Sequence, residues 1–343
     1  MKKPSEPILI WGAGAIGGTM GAYFAQAGHE VVFVDHAKDH VEAIKARGLS
    51  IEGPIAEFNV KAKAFSPEQL EGKFGTVFLC VKAHHTLEAA RALEPHLTEN
   101  GVVVSAQNGL NELEIADVIG EPRTVGCFVN FGADYLEPGV IHYAGRGAVV
   151  IGELNGTFTP RLAALQQLLL EFDDRAIQTA NIWGFLWGKL AYGAQLFVTA
   201  LTNESIADAL AATEHRKLFI EIAREVMRVA DARGIKPEGF NGFNPHAFTP
   251  EASLAAATQS LEEMVIFNRK SAKTHSGIWR DLAIRKRQTE VDAQLGPIVA
   301  LGAEVGVPAP ITKRLIEMIH EIEHGTRALA WANLAELEQE MEA

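Results

Sequence analysis

Cysteine is scarce in this chain of 343 residues, with only Cys80 and Cys127 present. Two cysteines make no disulfide scaffold, and such usage fits a reducing compartment. Long apolar runs are missing too. Nothing approaches the ~20 apolar residues of a membrane span. The run Ile8-Leu9-Ile10-Trp11 behind the N-terminus is too short for a signal-peptide core. Positive charge is in deficit: 31 Lys and Arg against 43 Asp and Glu leave a net charge of −12. That excludes a whole-protein field able to hold a polyanion, so neither nucleic acid nor an anionic membrane surface is an expected partner. Internal repeats and low-complexity tracts are absent as well. What remains is ordinary soluble composition, 48% hydrophobic and 22% charged. The expectation is a cytoplasmic protein of about two domains.

The first third alternates apolar runs with helical patterns. Ile8–Trp11, Val31–Val34, 76–81 and 102–104 read as buried strands, while 14–27, 38–47 and 87–97 read as helices. Continuous β-branched runs separated by helices indicate parallel strands covered on both faces, a doubly wound α/β sheet. Between 125 and 152 short strands crowd together around the turn signal Glu137-Pro138-Gly139. A helix at 160–170 and a short segment around Ile177 follow. From Asn181 the pattern is helical over 181–200, 214–233, 251–268, 286–304, 310–324 and 328–342. This divides the chain near 178–182, into residues 1–180 and 181–343. The irregular stretch 234–250 reads as a surface loop of a length that also suits a lid.

Gly12-Ala13-Gly14-Ala15-Ile16-Gly17 fits G-x-G-x-x-G. It follows an apolar strand, opens a helix, and precedes a second strand that ends in Asp35, the context a dinucleotide loop requires. Gly12 serves the tight turn, Gly14 the approach of a pyrophosphate, and Gly17 the packing of helix on strand. The positive end of the helix then holds phosphate. Asp35 stands where a carboxylate accepts hydrogen bonds from the adenosine ribose and repels a 2′-phosphate, which favours NAD(H). His36 and Lys38 nearby keep NADP(H) open. His84 and His85 have no third ligand in sequence reach, so no metal is expected. Trp183, Trp187 and Trp279 read as core residues, and Cys80 as strand packing.

Further segments extend the pattern: Val81-Lys82-Ala83, Gln107-Asn108-Gly109-Leu110, Gly132-Ala133, Glu137-Pro138-Gly139-Val140-Ile141-His142, Trp187-Gly188-Lys189-Leu190 and Thr289-Glu290-Val291-Asp292. In this order and spacing the chain resembles the ketopantoate reductases (2-dehydropantoate 2-reductases) from residue 8 to about 310. The resemblance implies an N-terminal Rossmann domain, an all-α C-terminal domain of the 6-phosphogluconate-dehydrogenase-like type, and reduction of a 2-oxo acid by NAD(P)H. It implies that Lys189 is the catalytic lysine and that Glu290 is an acidic residue at the cofactor–substrate site. It further implies that Asn108 lies near nicotinamide and substrate, Lys82 near the cofactor ribose, and the Ala133 backbone against the cofactor.

The residues themselves agree. Lys82 and Asn108 follow apolar strands, at the sheet edge where open α/β folds place ligands. A ketone accepting hydride develops negative charge on oxygen, which a lysine ammonium stabilises and then protonates. Lys189 lies among Trp183, Phe185, Trp187, Leu190 and Tyr192, an apolar setting that would move its pKa toward the operating pH.

Two positions depart from the family pattern, which has asparagines four and eight residues after the catalytic lysine, both used for substrate. Here they are Gly193 and Phe197. Spacings of four and eight share a helix face, so both changes are expected to alter the substrate pocket. Ser276, in Lys273-Thr274-His275-Ser276-Gly277, matches a serine that binds the substrate carboxylate, with one inserted residue in the segment. Three functions follow: a ketopantoate reductase of pantothenate biosynthesis, an NAD-dependent 2-hydroxy-acid dehydrogenase for a bulkier, less polar acid, or a dinucleotide sensor without turnover. Lys189 and Glu290 speak against the third. A homodimer is compatible with all three.

Overall fold

A computed structural model describes residues 6–240, 242–270 and 274–341. The chain forms two compact units, Met1–Ile182 and Trp183–Ala343. The strands are β1 (Ile8–Trp11), β2 (Val31–Val34), β3 (Leu49–Glu52), β4 (Phe58–Val60), β5 (Lys63–Phe65), β6 (Phe74–Leu79), β7 (Leu97–Ser105), β8 (Thr124–Val129), β9 (Gly132–Glu137), β10 (Val140–Gly145), β11 (Val149–Glu153) and β12 (Ile177–Gln178). The helices of the first unit are α1 (Ala15–Gln26), α2 (Lys38–Arg47), α3 (Thr86–Leu93), α4 (Asn111–Ile119) and α5 (Pro160–Leu169).

Eight strands form one sheet in the order β12-β11-β8-β7-β6-β1-β2-β5. Every pair in it is parallel except β8 with β11. The central strand shows why the sheet is covered on both sides. Ile8 and Ile10 join one cluster with Met20 and Phe24 of α1, while Leu9 and Trp11 join another with Leu93 of α3 and Ile115 of α4. Successive side chains of a strand point to opposite faces, so an unbroken apolar run needs two covering layers. The strand order reverses between β1 and β6, the switch point where open α/β sheets bind ligands.

A second, four-stranded sheet, β4-β3-β10-β9, takes β9 and β10 from the short strands expected over 125–152 and adds β3 and β4, for which the sequence carries no expectation. Its strands are short, and β3 pairs in parallel with β10 from far along the chain. α4 also went unread, and 87–97 proves shorter than expected as a helix. α3 ends at Leu93, Glu94–His96 forms a 3-10 turn around Pro95, and Leu97 already belongs to β7.

The second unit holds α6 (Ile182–Thr199), α7 (Ile206–Ala211), α8 (Arg216–Ala232), α9 (Leu254–Arg269), α10 (Gly277–Trp279), α11 (Val291–Glu304), α12 (Pro310–Glu323) and α13 (Ala332–Leu337). The helix expected over 286–304 begins only at Val291. Arg280–Arg285 is a π-helical turn, and Lys286 leaves it in the left-handed region at φ 51°, which ends the helical path. The terminal helix expected over 328–342 is likewise reduced to α13 and a 3-10 turn, Glu338–Met341. Among the described residues no helix is long and apolar enough to cross a membrane.

Candidate active site

In the first unit the glycine loop turns at Gly12, whose φ of +99° suits glycine. A Cβ there would stand 2.7 Å from the Val81 nitrogen, so the loops after β1 and β6 touch. A Cβ on Gly17 would collide with the Gly12 carbonyl oxygen and stand 2.8 Å from the Cys80 Cβ. Gly14 differs: no atom of the described residues lies within 4 Å of a Cβ placed on it. It caps α1 without a side chain, leaving the first turn of the helix open to an anion.

Asp35 lies at the base of this loop. Its Oδ2 accepts the Ala13 N–H at 2.9 Å and its Oδ1 the Ala37 N–H at 2.9 Å. Each oxygen retains a lone pair for a sugar hydroxyl. The surroundings are acidic. Burial raises the pKa of the Tyr135 phenol, and the charges of Asp35, Asp39 and Glu137 raise it further.

Lys82 and Asn108 follow β6 and β7, and a buried amide joins their loops. Gln107 donates through Nε2 to the Val81 carbonyl at 2.9 Å and to Thr86 Oγ1 at 2.8 Å. Thr86 donates onward to Asn111 Oδ1 (3.0 Å), and Asn111 returns a bond to the Asn108 carbonyl (2.7 Å). Asn108 is exposed and Lys82 half-buried. Ala133 lies in β9, packed with Ile16 against the same hydrophobic cluster. Half-buried Cys80 has its thiol pKa pushed well up by desolvation, which fits packing rather than chemistry.

In the second unit Lys189 sits half-buried on α6. Residues on both sides of position 241, Glu238, Phe240 and Phe243, pack on this helix. The Glu238 N–H donates to the Gly184 carbonyl at 2.9 Å, and a Cβ on Gly188 would collide with the Glu238 carbonyl oxygen. Tyr192 meets Phe240 edge-on at 5.9 Å and Phe243 at a tilt at 5.5 Å. The glycine next to Lys189 is therefore the close-approach point of this stretch.

Glu290 caps the N-terminus of α11, and its carbonyl accepts the Gln294 N–H at 2.9 Å. Its neighbour Thr289 donates both N–H and hydroxyl to Glu323 at 2.7 Å. Glu323 and Asp292 each bond His320 at 2.9 Å. Burial works against charge on His320, but these two carboxylate bonds prevail and raise its pKa.

Gly193 faces α11. Among the described residues the one atom within 4 Å of a Cβ placed there is Gln294 Oε1, at 3.8 Å. No hydrogen bond among the described residues engages the Gln294 side chain. Phe197 corrects the expectation for the other departure: it is 0% exposed and fills the core of its unit instead of lining an open pocket. Ser276 is buried, and its Oγ accepts the Trp279 N–H at 3.1 Å as the cap of α10, leaving its hydroxyl proton and one lone pair for other use. His275 packs at a tilt on Trp279, with ring centroids 4.0 Å apart. Lys273 lies outside the described residues.

The description "Ketopantoate reductase PanE/ApbA" matches residues 8–156, and "Ketopantoate reductase PanE/ApbA C terminal" matches residues 181–323. The chain belongs to the ketopantoate reductase family. It is 28% identical over 321 residues to a 2-dehydropantoate 2-reductase of Archaeoglobus fulgidus, covering 93% of this chain and 99% of that one. It is 27% identical over 324 residues to one of Aquifex aeolicus, covering 91% and 95%. Among solved structures, a ketopantoate reductase from Ralstonia eutropha JMP134 superposes with a TM-score of 0.78 at 27% identity, over 93% of this chain and 99% of that chain. A D-mandelate dehydrogenase solved with NADH and anilino(oxo)acetate superposes with a TM-score of 0.79 over the same shares; at 22% identity it shows a shared fold. The chain is thus a nicotinamide-dinucleotide oxidoreductase of the class acting on CH–OH groups.

The glycine loop meets the needs of such a cofactor: open space at Gly14, an uncapped helix N-terminus, and a carboxylate at the base. Among the described residues no group of three or more His, Cys, Asp or Glu could hold a metal ion. Gln107, His40 and Gln294 escaped the sequence reading. Gln107 opens the Gln107-Asn108-Gly109-Leu110 segment, and its place next to Asn108 after a strand is the signal that points to it. The other two depend on partners about a hundred residues away.

Proposed function

We propose that the chain reduces a 2-oxo acid, ketopantoate or a related acid, to the 2-hydroxy acid, with residues 1–180 holding the dinucleotide and 181–343 carrying substrate and catalytic groups. The observation that carries this reading is the meeting of α6 and α11 at Gly193 and Gln294. Lys189 and Glu290 each precede that contact by four residues, about 6 Å of helix rise. That spacing, a little over one helical turn in each case, supports reading Lys189 and Glu290 as parts of one site.

The Gly14, Ala15 and Ile16 N–H groups would hold the pyrophosphate, Asp35 and Lys82 the sugars, and Asn108 the nicotinamide side. The bound dinucleotide supplies hydride. Lys189 stabilises the developing alkoxide and gives it a proton. Glu290 accepts hydrogen bonds at the same site and orients the acid, with the Ser276 hydroxyl offered to its carboxylate. Asp35, reinforced by Asp39 and Glu137, favours NADH, because a 2′-phosphate would enter a field of its own sign.

A second reading, a bulkier and less polar acid, is favoured by the space at Gly193. Initial rates on a panel of 2-oxo acids with NADH and with NADPH test both. Turnover of at least one acid is expected, with ketopantoate and larger side chains ranked by kcat/KM.

A further inference from the structure

His40, near the start of α2, is 1% exposed and lies in the crevice between glycine loop and second sheet. Its Nδ1 accepts the Gly139 N–H at 2.9 Å, and its Nε2 stands 2.8 Å from the Ala13 carbonyl oxygen. A backbone N–H can only donate, so Nδ1 carries no proton and Nε2 carries the one that is donated to Ala13. The ring meets Tyr135 edge-on at 5.0 Å. The partner turn is fixed independently: Gly139 adopts φ +81° after Pro138, and Arg47, at the far end of α2, donates to the Pro138 carbonyl.

The Ala13 carbonyl belongs to the same peptide plane as the Gly14 N–H. In a trans peptide these two groups point in opposite directions. A hydrogen bond that pins the carbonyl toward His40 therefore aims the Gly14 N–H away from it. That N–H has no acceptor among the described residues, and Gly14 borders open space. The preceding plane is held from the other side, by Asp35 on the Ala13 N–H.

We infer that His40, as its neutral Nε2–H tautomer, is a positioning residue for dinucleotide binding, orienting the Ala13–Gly14 peptide so that the Gly14 N–H faces the pyrophosphate. This rests on the loop being the dinucleotide site.

Two substitutions divide the ring's two bonds. His40→Asn keeps an acceptor near Nδ1 and loses the donor to Ala13; His40→Gln keeps a donor near Nε2. Arg47→Ala loosens the same turn without touching the loop. Kd for NADH, KM and kcat on the best 2-oxo acid, and Tm would be measured for each. His40→Asn is expected to raise Kd and KM for NADH about tenfold with kcat at saturation unchanged. His40→Gln and Arg47→Ala should stay within about threefold. Equal weakening in His40→Gln or Arg47→Ala, or an unchanged Kd in folded His40→Asn, overturns the inference. If His40→Asn does not fold, His40→Gln decides alone: Kd within about threefold supports the role, and a tenfold rise refutes it. Failure of the wild-type chain to bind any dinucleotide would instead refute the reading of the loop.

Discussion

Gln294 of α11 aims its side-chain oxygen at Gly193 of α6, 3.8 Å from where a Cβ would stand. The family pattern carries an amide at position 193, and here an amide reaches the same space from the facing helix. Gln195 and Thr199 do not. Gln195 donates to the Phe219 carbonyl at 2.8 Å, and Thr199 to the Leu196 carbonyl at 2.8 Å.

Gln294→Leu is therefore expected to lower kcat/KM for a hydroxylated 2-oxo acid by about tenfold to a hundredfold, the cost of one poorly paired buried hydroxyl. An acid with an apolar side chain should lose little. Kinetics on the two acids side by side check this; equal losses on both would mean that Gln294 acts on the fold rather than on the substrate.

Gly193→Asn restores a side chain where there is room for one. It should shift preference toward ketopantoate and away from larger acids, read as a ratio of kcat/KM values. A larger acid gaining relative to ketopantoate would reverse the assignment of that space. The companion change, Phe197→Asn, is a stability change instead. Emptying a fully buried aromatic site costs roughly 3–5 kcal/mol, visible in a urea titration.

Asp35 holds the Ala13 N–H, and the proposed function gives it the ribose as well. Asp35→Ser should narrow the preference for NADH over NADPH, and also weaken NADH itself because the loop loses an anchor. Wild-type enzyme preferring NADPH by kcat/KM would contradict the reading of the acidic surroundings.

His320 has its pKa raised above the ordinary 6.5 by Glu323 and Asp292. A raised folded-state pKa gives stability that is fully present below the unfolded value and is lost as pH rises through the folded one. Because this cluster holds Thr289 next to Glu290, the wild-type Tm should fall, relative to His320→Gln, as pH rises above about 6.5. Parallel Tm curves for the two proteins would show that the charge on His320 does not contribute.

Much of the first unit was legible because its signals are local. Gly12, Gly14 and Gly17 each answer a need within a few residues, and the apolar runs of β1 and β2 need nothing beyond their own side chains to read as buried. The four-stranded sheet was not legible, since β4 has three residues and β3 meets its partner β10 some ninety positions later. The same distance hid the substitute amide at Gln294 and the His40–Gly139 bond. Residues 286–290 failed for another reason: charges and a glutamine sustain a helical reading there, while Lys286 turns left-handed.

The central claim is that Lys189 protonates the product of hydride transfer to a 2-oxo acid. The most direct measurement is the consumption of reduced dinucleotide by wild type and Lys189→Ala on the best acid of the panel, with Kd for the dinucleotide taken in parallel. The prediction is a fall in kcat of ~10²–10⁴-fold with Kd for the dinucleotide nearly unchanged. Near-normal turnover in Lys189→Ala, or a wild-type chain that binds dinucleotide tightly and turns over no acid, would contradict it.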